Sequence, residues 1–269
     1  MSESISISES VALSNNLRKI ILDIAKEAGD KAAHIGGALS CVDFLAVTDK
    51  FYKLSDSPSS LRSLILSKGH ACLSLYSLIA YSKIVSLDKV KENFERNNSK
   101  FLGHPCRYPE IGINFSTGSL GNGLAHAIGL ALYRSQNLSG NSNSDVVCIV
   151  GDGECNEGIV WECFEFISKL KMKNLLIFID CNGWQQTQES IYSCDNYESL
   201  FNRLKTYNLD VVMIDGHNHK LLSREISSER SVTKVILGLT TKGKGYKIFE
   251  NNNNWHHGIL TTQMFEDLK

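Results

Sequence analysis

Charge of either sign is nearly absent in the balance: 28 basic and 29 acidic side chains leave a formal net charge of −1. Such a chain has no broad electrostatic footprint for nucleic acid or for an anionic membrane surface. Nor does any stretch approach the roughly 18 uninterrupted apolar residues of a membrane-spanning helix. Proline is scarce, at three residues, and two of them, Pro105 and Pro109, share one irregular stretch. The eight cysteines form no C-x-x-C pair and no Cys/His zinc spacing, which argues against a disulfide scaffold or a structural zinc site. Several, such as Cys148 in VVCIV, sit in apolar runs where a free thiol packs as a small hydrophobe. The opening MSESISISES lacks the basic and apolar regions of a secretory leader. Together these features predict reduced thiols and a cytoplasmic protein. A G-x-x-x-x-G-K-[ST] phosphate loop is missing too.

What remains is an ordinary globular composition, 42 % hydrophobic and 21 % charged over 269 residues, long enough for one large α/β domain. Residues 1–12 read as a flexible polar tail and 13–269 as one domain without internal repeats. Apolar residues at helical spacing predict helices over Ser14–Ala28, Ser40–Phe51, Ala71–Ile84 and Asn122–Tyr133. AAHIGG reads as a short loop, Lys89–Phe101 as a charged and polar stretch leading into the irregular GHPCRYPEIGINFSTGSLG, and SQNLSGNSNSD as an exposed linker. Beyond that linker short apolar strands alternate with helices: DVVCIV, IVWECFEFISKLK, NLLIFID, a helix near Tyr197–Leu204, DVVMID, KVILGLT. This alternation predicts an α/β fold with a central, mostly parallel sheet flanked by helices.

Ligands of such sheets bind beyond the carboxyl ends of the strands. Asp152 follows one predicted strand between Gly151 and Gly153, and Asn182 follows the next, thirty residues on. One helix crossover fits that interval and would set both strand ends side by side. A carboxylate and an amide oxygen there suit Mg²⁺, with carbonyl, water and phosphate oxygens completing its shell. Asp and Asn after strands also serve as plain turn and cap residues. Histidines gather in loops: His34 in a glycine-rich segment, His70 in SKGH at a predicted helix start, His104 beside Pro105, and His256 and His257 in WHHG. A helix start offers free N–H groups to an anion, which places His70 well for a phosphate. His126, mid-helix, and His217, in a turn, read as structural only.

With AHIGGALS, SKGH, GHP, STGSLGNG, GDGECNEG, DCNGW and WHHG in this order, the chain resembles transketolase from about residue 14 to 260. GDG followed by an Asn about thirty residues on is similar to that family's thiamine diphosphate motif. The resemblance covers only the diphosphate-binding (PP-type) domain of a longer enzyme, and so implies the N-terminal subunit of a split transketolase. It implies thiamine diphosphate and Mg²⁺ (Ca²⁺ or Mn²⁺ as substitutes), the metal held by Asp152, Asn182 and the main-chain carbonyl of Trp184. Trp184 stands where an aliphatic residue is commoner. By the same resemblance Gly153, His70 and one of the paired histidines contact the diphosphate. The following Gly258 favours His257, while alignment through Trp255 would select His256. The resemblance also implies that Gly118 and Leu120 face the aminopyrimidine, and Glu157 matches the family's acidic residue at the subunit contact that links opposing cofactor sites. The resemblance further implies that His34 and His104 serve the substrate hydroxyls and proton transfers as catalytic residues. The implied reaction moves a two-carbon ketol unit from a ketose to an aldehyde. The implied partner is a C-terminal transketolase-like subunit whose pyrimidine-binding domain carries an activating glutamate, in a heterotetramer of two copies each.

Two other readings remain open from the sequence. One is a different split thiamine enzyme, of the 2-oxoacid dehydrogenase E1 alpha type or an α-hydroxyketone synthase. The other is a non-catalytic assembly subunit, although a scaffold has no use for Asp152, Asn182, His34, His70 and His104.

Overall fold

The computed structural model describes residues 6–137, 145–186, 188–192 and 197–268. The first half of the chain is mostly helical. Its helices are α1 (Ile7–Lys26), α2 (Ile35–Ser40), α3 (Val42–Tyr52), α4 (Pro58–Leu61), α5 (Cys72–Tyr81), α6 (Leu87–Asn93) and α7 (Asn122–Asn137). The short strand β1 (Leu64–Leu66) lies between α4 and α5. The second half alternates: β2 (Val146–Gly151), α8 (Gly158–Leu170), β3 (Leu175–Cys181), then a hairpin of β4 (Trp184–Gln185) and β5 (Gln188–Glu189). It closes with α9 (Tyr197–Lys205), β6 (Asp210–Asp215), α10 (His219–Ser227), β7 (Lys234–Leu239) and α11 (Thr262–Asp267).

Five strands form one parallel sheet in the order β1-β2-β3-β7-β6. Its central strands are continuous apolar runs because both faces are covered, as parallel sheets require. Successive residues alternate between two cores. Val147, Ile149, Leu176, Phe178 and Ile236 pack with α1, α3 and α5, while Val146, Cys148, Ile177 and Leu237 pack with α7, α8 and α9. Phe44 of α3 stacks on Phe178 with ring centroids 4.1 Å apart. That ring also explains Gly238, where a Cβ would lie 2.2 Å from it.

Three expectations from sequence are corrected. Helix α1 starts at Ile7, capped by the Ser6 side chain accepting from Glu9 N, so residues 7–12 are not a tail. Ser10 is buried against His219, which ties this first turn down. The IGG of AAHIGG opens α2 rather than forming a loop. A Cβ on Gly36 would sit 3.1 Å from Trp255 O and Lys242 Cγ, and one on Gly37 would sit 3.0 Å from His70 Nε2. Close packing, not turn chemistry, demands these glycines. Finally, α7 continues through Asn137, taking in the first residues of the expected linker. The rest of the linker, residues 138–144, lies outside the described residues.

Candidate active site

Parallel pairing fixes the first relationship. Gly151 of β2 is in register with Asp180 of β3, so the residues just beyond, Asp152 and Asn182, emerge together at the carboxyl edge of the sheet. Both are buried and both line one cavity of about 520 Å³ that opens at this edge. Gly153 and Trp184 belong to the same wall. Asn182 spends its NH₂ on Asp180 Oδ2 (3.2 Å) and Ser40 Oγ (3.4 Å), and its Oδ1 accepts from Trp184 N (3.1 Å) with a second lone pair to spare. Asp152 accepts from Gly153 N (2.9 Å) and from the Tyr197 hydroxyl. Burial pushes the Asp152 carboxyl up to about 6, against the pull of that hydroxyl. A buried carboxylate without a cation beside it is electrostatically expensive, and a divalent ion would relieve it. Among the described residues no group of three or more His, Cys, Asp and Glu side chains could hold a metal ion. A metal here would combine one carboxylate with amide and carbonyl oxygens, the donor set that Asp152, Asn182 and the Trp184 main chain supply, which fits Mg²⁺.

Across the cavity stand the histidines. The His34 ring lies 5.8 Å from His70, 5.6 Å from His104, 5.4 Å from His256 and 4.4 Å from His257, centroid to centroid. His70 and His256 are 5.5 Å apart. Burial, reinforced by neighbouring histidines and Lys242, depresses His34 to about 3; burial and Lys242 depress His256 to about 4. His70 is held well below its ordinary value by burial and Lys68, and His104 is lowered by burial. Near neutral pH these rings are uncharged and can accept protons from hydroxyl groups. Of the two alternatives, His256 belongs to the cavity wall, whereas the preferred His257 is exposed, its ring centroid 4.4 Å from that of His34.

The TGSLG loop reaches the cavity through Gly118 and Leu120. Gly118 has φ +142°, and its Cβ would meet His104 Cδ2 at 3.0 Å. Glu157 lies exposed on the rim at the start of α8. His126 and His217 stand away from the cavity: His126 stacks on Phe115, and His217 donates to Asp43.

A family of known proteins now decides the assignment. The family described as "Transketolase, thiamine diphosphate binding domain" matches residues 10–269. The chain belongs to the transketolase family.

Within it, this transketolase-family chain is 30 % identical to one of the subunits of the apulose-4-phosphate transketolase of Phocaeicola vulgatus, over 93 % of its own length and 89 % of that protein. It is 30 % identical to a 6-deoxy-6-sulfo-D-fructose transketolase subunit of Clostridium sp., covering 92 % of it. Human transketolase is 29 % identical but only 40 % of its length is covered. The crystal structure of transketolase from Campylobacter jejuni superposes with a TM-score of 0.80 at 27 % identity, over 97 % of this chain and 42 % of that one.

Four residues that sequence reasoning passed over line or brace the same cavity. Lys68 of SKGH is fully buried in an ion pair with Asp180, which also accepts from Ser40 Oγ (2.5 Å) and Thr240 Oγ1 (2.5 Å). Burial alone would lower the Lys68 ammonium, but Asp180 holds it up. Lys242, from TKGKGY after β7, lies in the cavity wall, donates to Asn253 Oδ1 (2.6 Å) and sits 5.7 Å from the Trp184 ring. Burial and Lys68 bring it down to about 8. Glu154 accepts from Ser67 Oγ (2.7 Å), Gly121 N (2.8 Å) and Gly151 N (2.8 Å), pinning three loops at the cavity floor. A glycine-rich loop around a lysine was the one available signal for Lys242. Lys68, Asp180 and Glu154 carried none.

Proposed function

We propose that this chain is the N-terminal, diphosphate-binding subunit of a split transketolase. It transfers a two-carbon ketol unit from a ketose to an aldehyde together with a partner subunit that carries the pyrimidine-binding domain. The observation that carries this reading is the cavity. Its floor offers hard oxygen donors, one wall offers Lys68, Lys242 and His70, and its mouth is ringed by uncharged histidines.

Asp152, Asn182 and the Trp184 carbonyl would hold Mg²⁺, which neutralises diphosphate charge. Lys242, His70 and His256 would complement the phosphate oxygens, and Gly153 leaves room for their approach to the backbone. Bound thiamine diphosphate supplies the carbon nucleophile and electron sink for breaking and remaking the ketose carbon–carbon bond. The chain itself orients the sugar and moves its protons. His34 and His104 would take a proton from a substrate hydroxyl at a ring nitrogen and return it, which their uncharged state permits. Gly118 and Leu120 would receive the pyrimidine end, and Glu157 would face the partner. The two near-full-length relatives are themselves named as transketolase subunits, which supports the split arrangement. Its simplest form is two copies of this chain with two of the partner, in the cytoplasm. Among the described residues no helix is long and apolar enough to cross a membrane.

The test mixes purified chain with a C-terminal transketolase subunit from the same source. Ketol transfer is followed with thiamine diphosphate and Mg²⁺ supplied. Activity only on mixing is the expected result; full turnover by this chain alone sinks the split reading.

A further inference from the structure

Asp43 of α3 is buried outside the cavity, yet its carboxylate accepts from four donors. Arg18 of α1 binds it through both terminal nitrogens, at 3.0 Å and 2.5 Å. His217 Nδ1 reaches Oδ2 at 2.7 Å and His219 Nε2 reaches Oδ1 at 3.0 Å. An ionised carboxylate only accepts, so each of these ring nitrogens carries the proton. That settles the tautomer of His217, whose Nε2 is left to accept from Thr241 N at 2.8 Å, while His219 Nδ1 meets Ser10 Oγ at 2.8 Å.

The last contact matters for the site. Thr241 opens the turn that carries Lys242, and the same turn is gripped at its other end by Arg18 Nε donating to Lys244 O at 3.0 Å. Between these grips Gly243 N donates to Gly36 O at 2.9 Å, two residues from His34. One carboxylate therefore aligns two side chains that hold both ends of the Thr241–Lys244 span, and Lys242 within it faces the cavity.

We propose that Asp43 is a positioning residue for the cofactor site, acting through His217 and Arg18 on the Thr241–Lys244 turn to set where the Lys242 ammonium meets the diphosphate. This rests on the thiamine diphosphate reading above and adds a mechanism to it. His217, which the sequence presents as a structural turn residue, thereby gains a role that a bare turn would not give it. Second-layer groups of this kind fix ring orientation and tautomer for the groups they support.

His217 allows the two halves of the device to be separated. Asn at this position can keep the donor to Asp43, near the place of Nδ1, but cannot reach Thr241 N. Gln can reach toward Thr241 N, near the place of Nε2, but gives up the short donor to Asp43. Binding of thiamine diphosphate with MgCl₂, and separately of magnesium pyrophosphate, is measured by calorimetry on the full chain. The set comprises wild type, His217→Asn, His217→Gln, Lys242→Ala and His217→Asn/Lys242→Ala. The expected result is an affinity about tenfold lower for His217→Asn, partial recovery with His217→Gln, and no further loss from His217→Asn once Lys242 is Ala. Such non-additivity is what a residue acting through another produces. Arg18→Lys, which keeps a cation for Asp43 but cannot also serve Lys244 O, repeats the test from the other grip. An equal loss from His217→Asn with and without Lys242, or no loss at all, overturns the proposal while leaving the cofactor reading intact. A wild-type chain that binds neither probe overturns both.

Discussion

Tyr197 donates its hydroxyl proton to Oδ2 of Asp152, and its oxygen accepts from Gly183 N at 2.8 Å. One phenol from α9 thus ties the end of β2 to the backbone just after Asn182, fixing the spacing of the two strand-end oxygen donors. Tyr197→Phe removes both contacts without emptying the space. Mg²⁺-dependent cofactor affinity should fall by roughly tenfold, the scale of one charged hydrogen bond. The loss should grow below pH 7, because without the hydroxyl the Asp152 carboxyl holds its proton more firmly. Isothermal titration across pH checks this, and an unchanged pH profile would count against it.

Asp152 should also shape the stability of the metal-free chain. Its carboxyl rises from 3.8 to about 6 on folding. Between those values the folded chain keeps a proton that the unfolded chain has released, so stability falls as the pH rises, by up to about 3 kcal/mol. Asp152→Asn should flatten that part of the pH–Tm curve, and Mg²⁺ with thiamine diphosphate should restore wild-type stability at pH 7. For binding, Asp152→Ala should abolish Mg²⁺-dependent affinity. Asn182→Ala should weaken it less, since water can replace a neutral ligand.

The histidines should divide by place. His70 lies deep beside Lys68, whereas His104 is exposed at the cavity mouth and His34 stands between them. His70→Ala should raise the cofactor Kd, while His34→Ala and His104→Ala should lower kcat in the assembled enzyme with little change in cofactor Kd. Identical behaviour of all three would remove the division.

Lys242 supplies a pH signature at the alkaline end. Burial brings its ammonium to about 8, so affinity for a diphosphate should weaken several-fold between pH 7 and 9 as the charge is lost. Lys242→Arg, which stays protonated, should hold its affinity over that range. Pyrophosphate titrations at fixed Mg²⁺ distinguish the two.

Much of this was legible in the chain, for physical reasons that differ by residue. Asp152 and Asn182 stood out because each follows directly on a strand, thirty residues apart, and polar residues just past the ends of parallel strands mark the ligand edge. His34, His70 and His104 were visible because polar rings in glycine-bearing segments contrast with their surroundings. Lys68 and Asp180 were not: they are 112 residues apart and neutralise one another only after folding. Tyr197 is 45 residues from Asp152 and reads locally as one more helix residue. The choice between His256 and His257 turned on local geometry at the short turn Asn253–Trp255, which aims the first inward. Gly36 and Gly37 looked like loop residues because their reason lies in Trp255 and His70, which no local pattern discloses.

The backbone bridge between Ala33 and Gly258, with Ala33 N donating to Gly258 O at 2.9 Å and Gly258 N to Ala33 O at 3.0 Å, has a consequence for biosynthesis. It sets His34, made early, in place only when a segment made more than two hundred residues later arrives. The sheet imposes a similar delay, since Leu64 of β1 must wait for Val147 of β2. Contacts of such long sequence separation form slowly and late. On the ribosome, helices and single strands can appear in turn, but a competent pocket cannot exist until Gly258 has emerged. A nascent chain therefore gains nothing from cofactor in the surrounding medium, and its exposed strand edges depend on rapid completion of synthesis or on chaperones for protection.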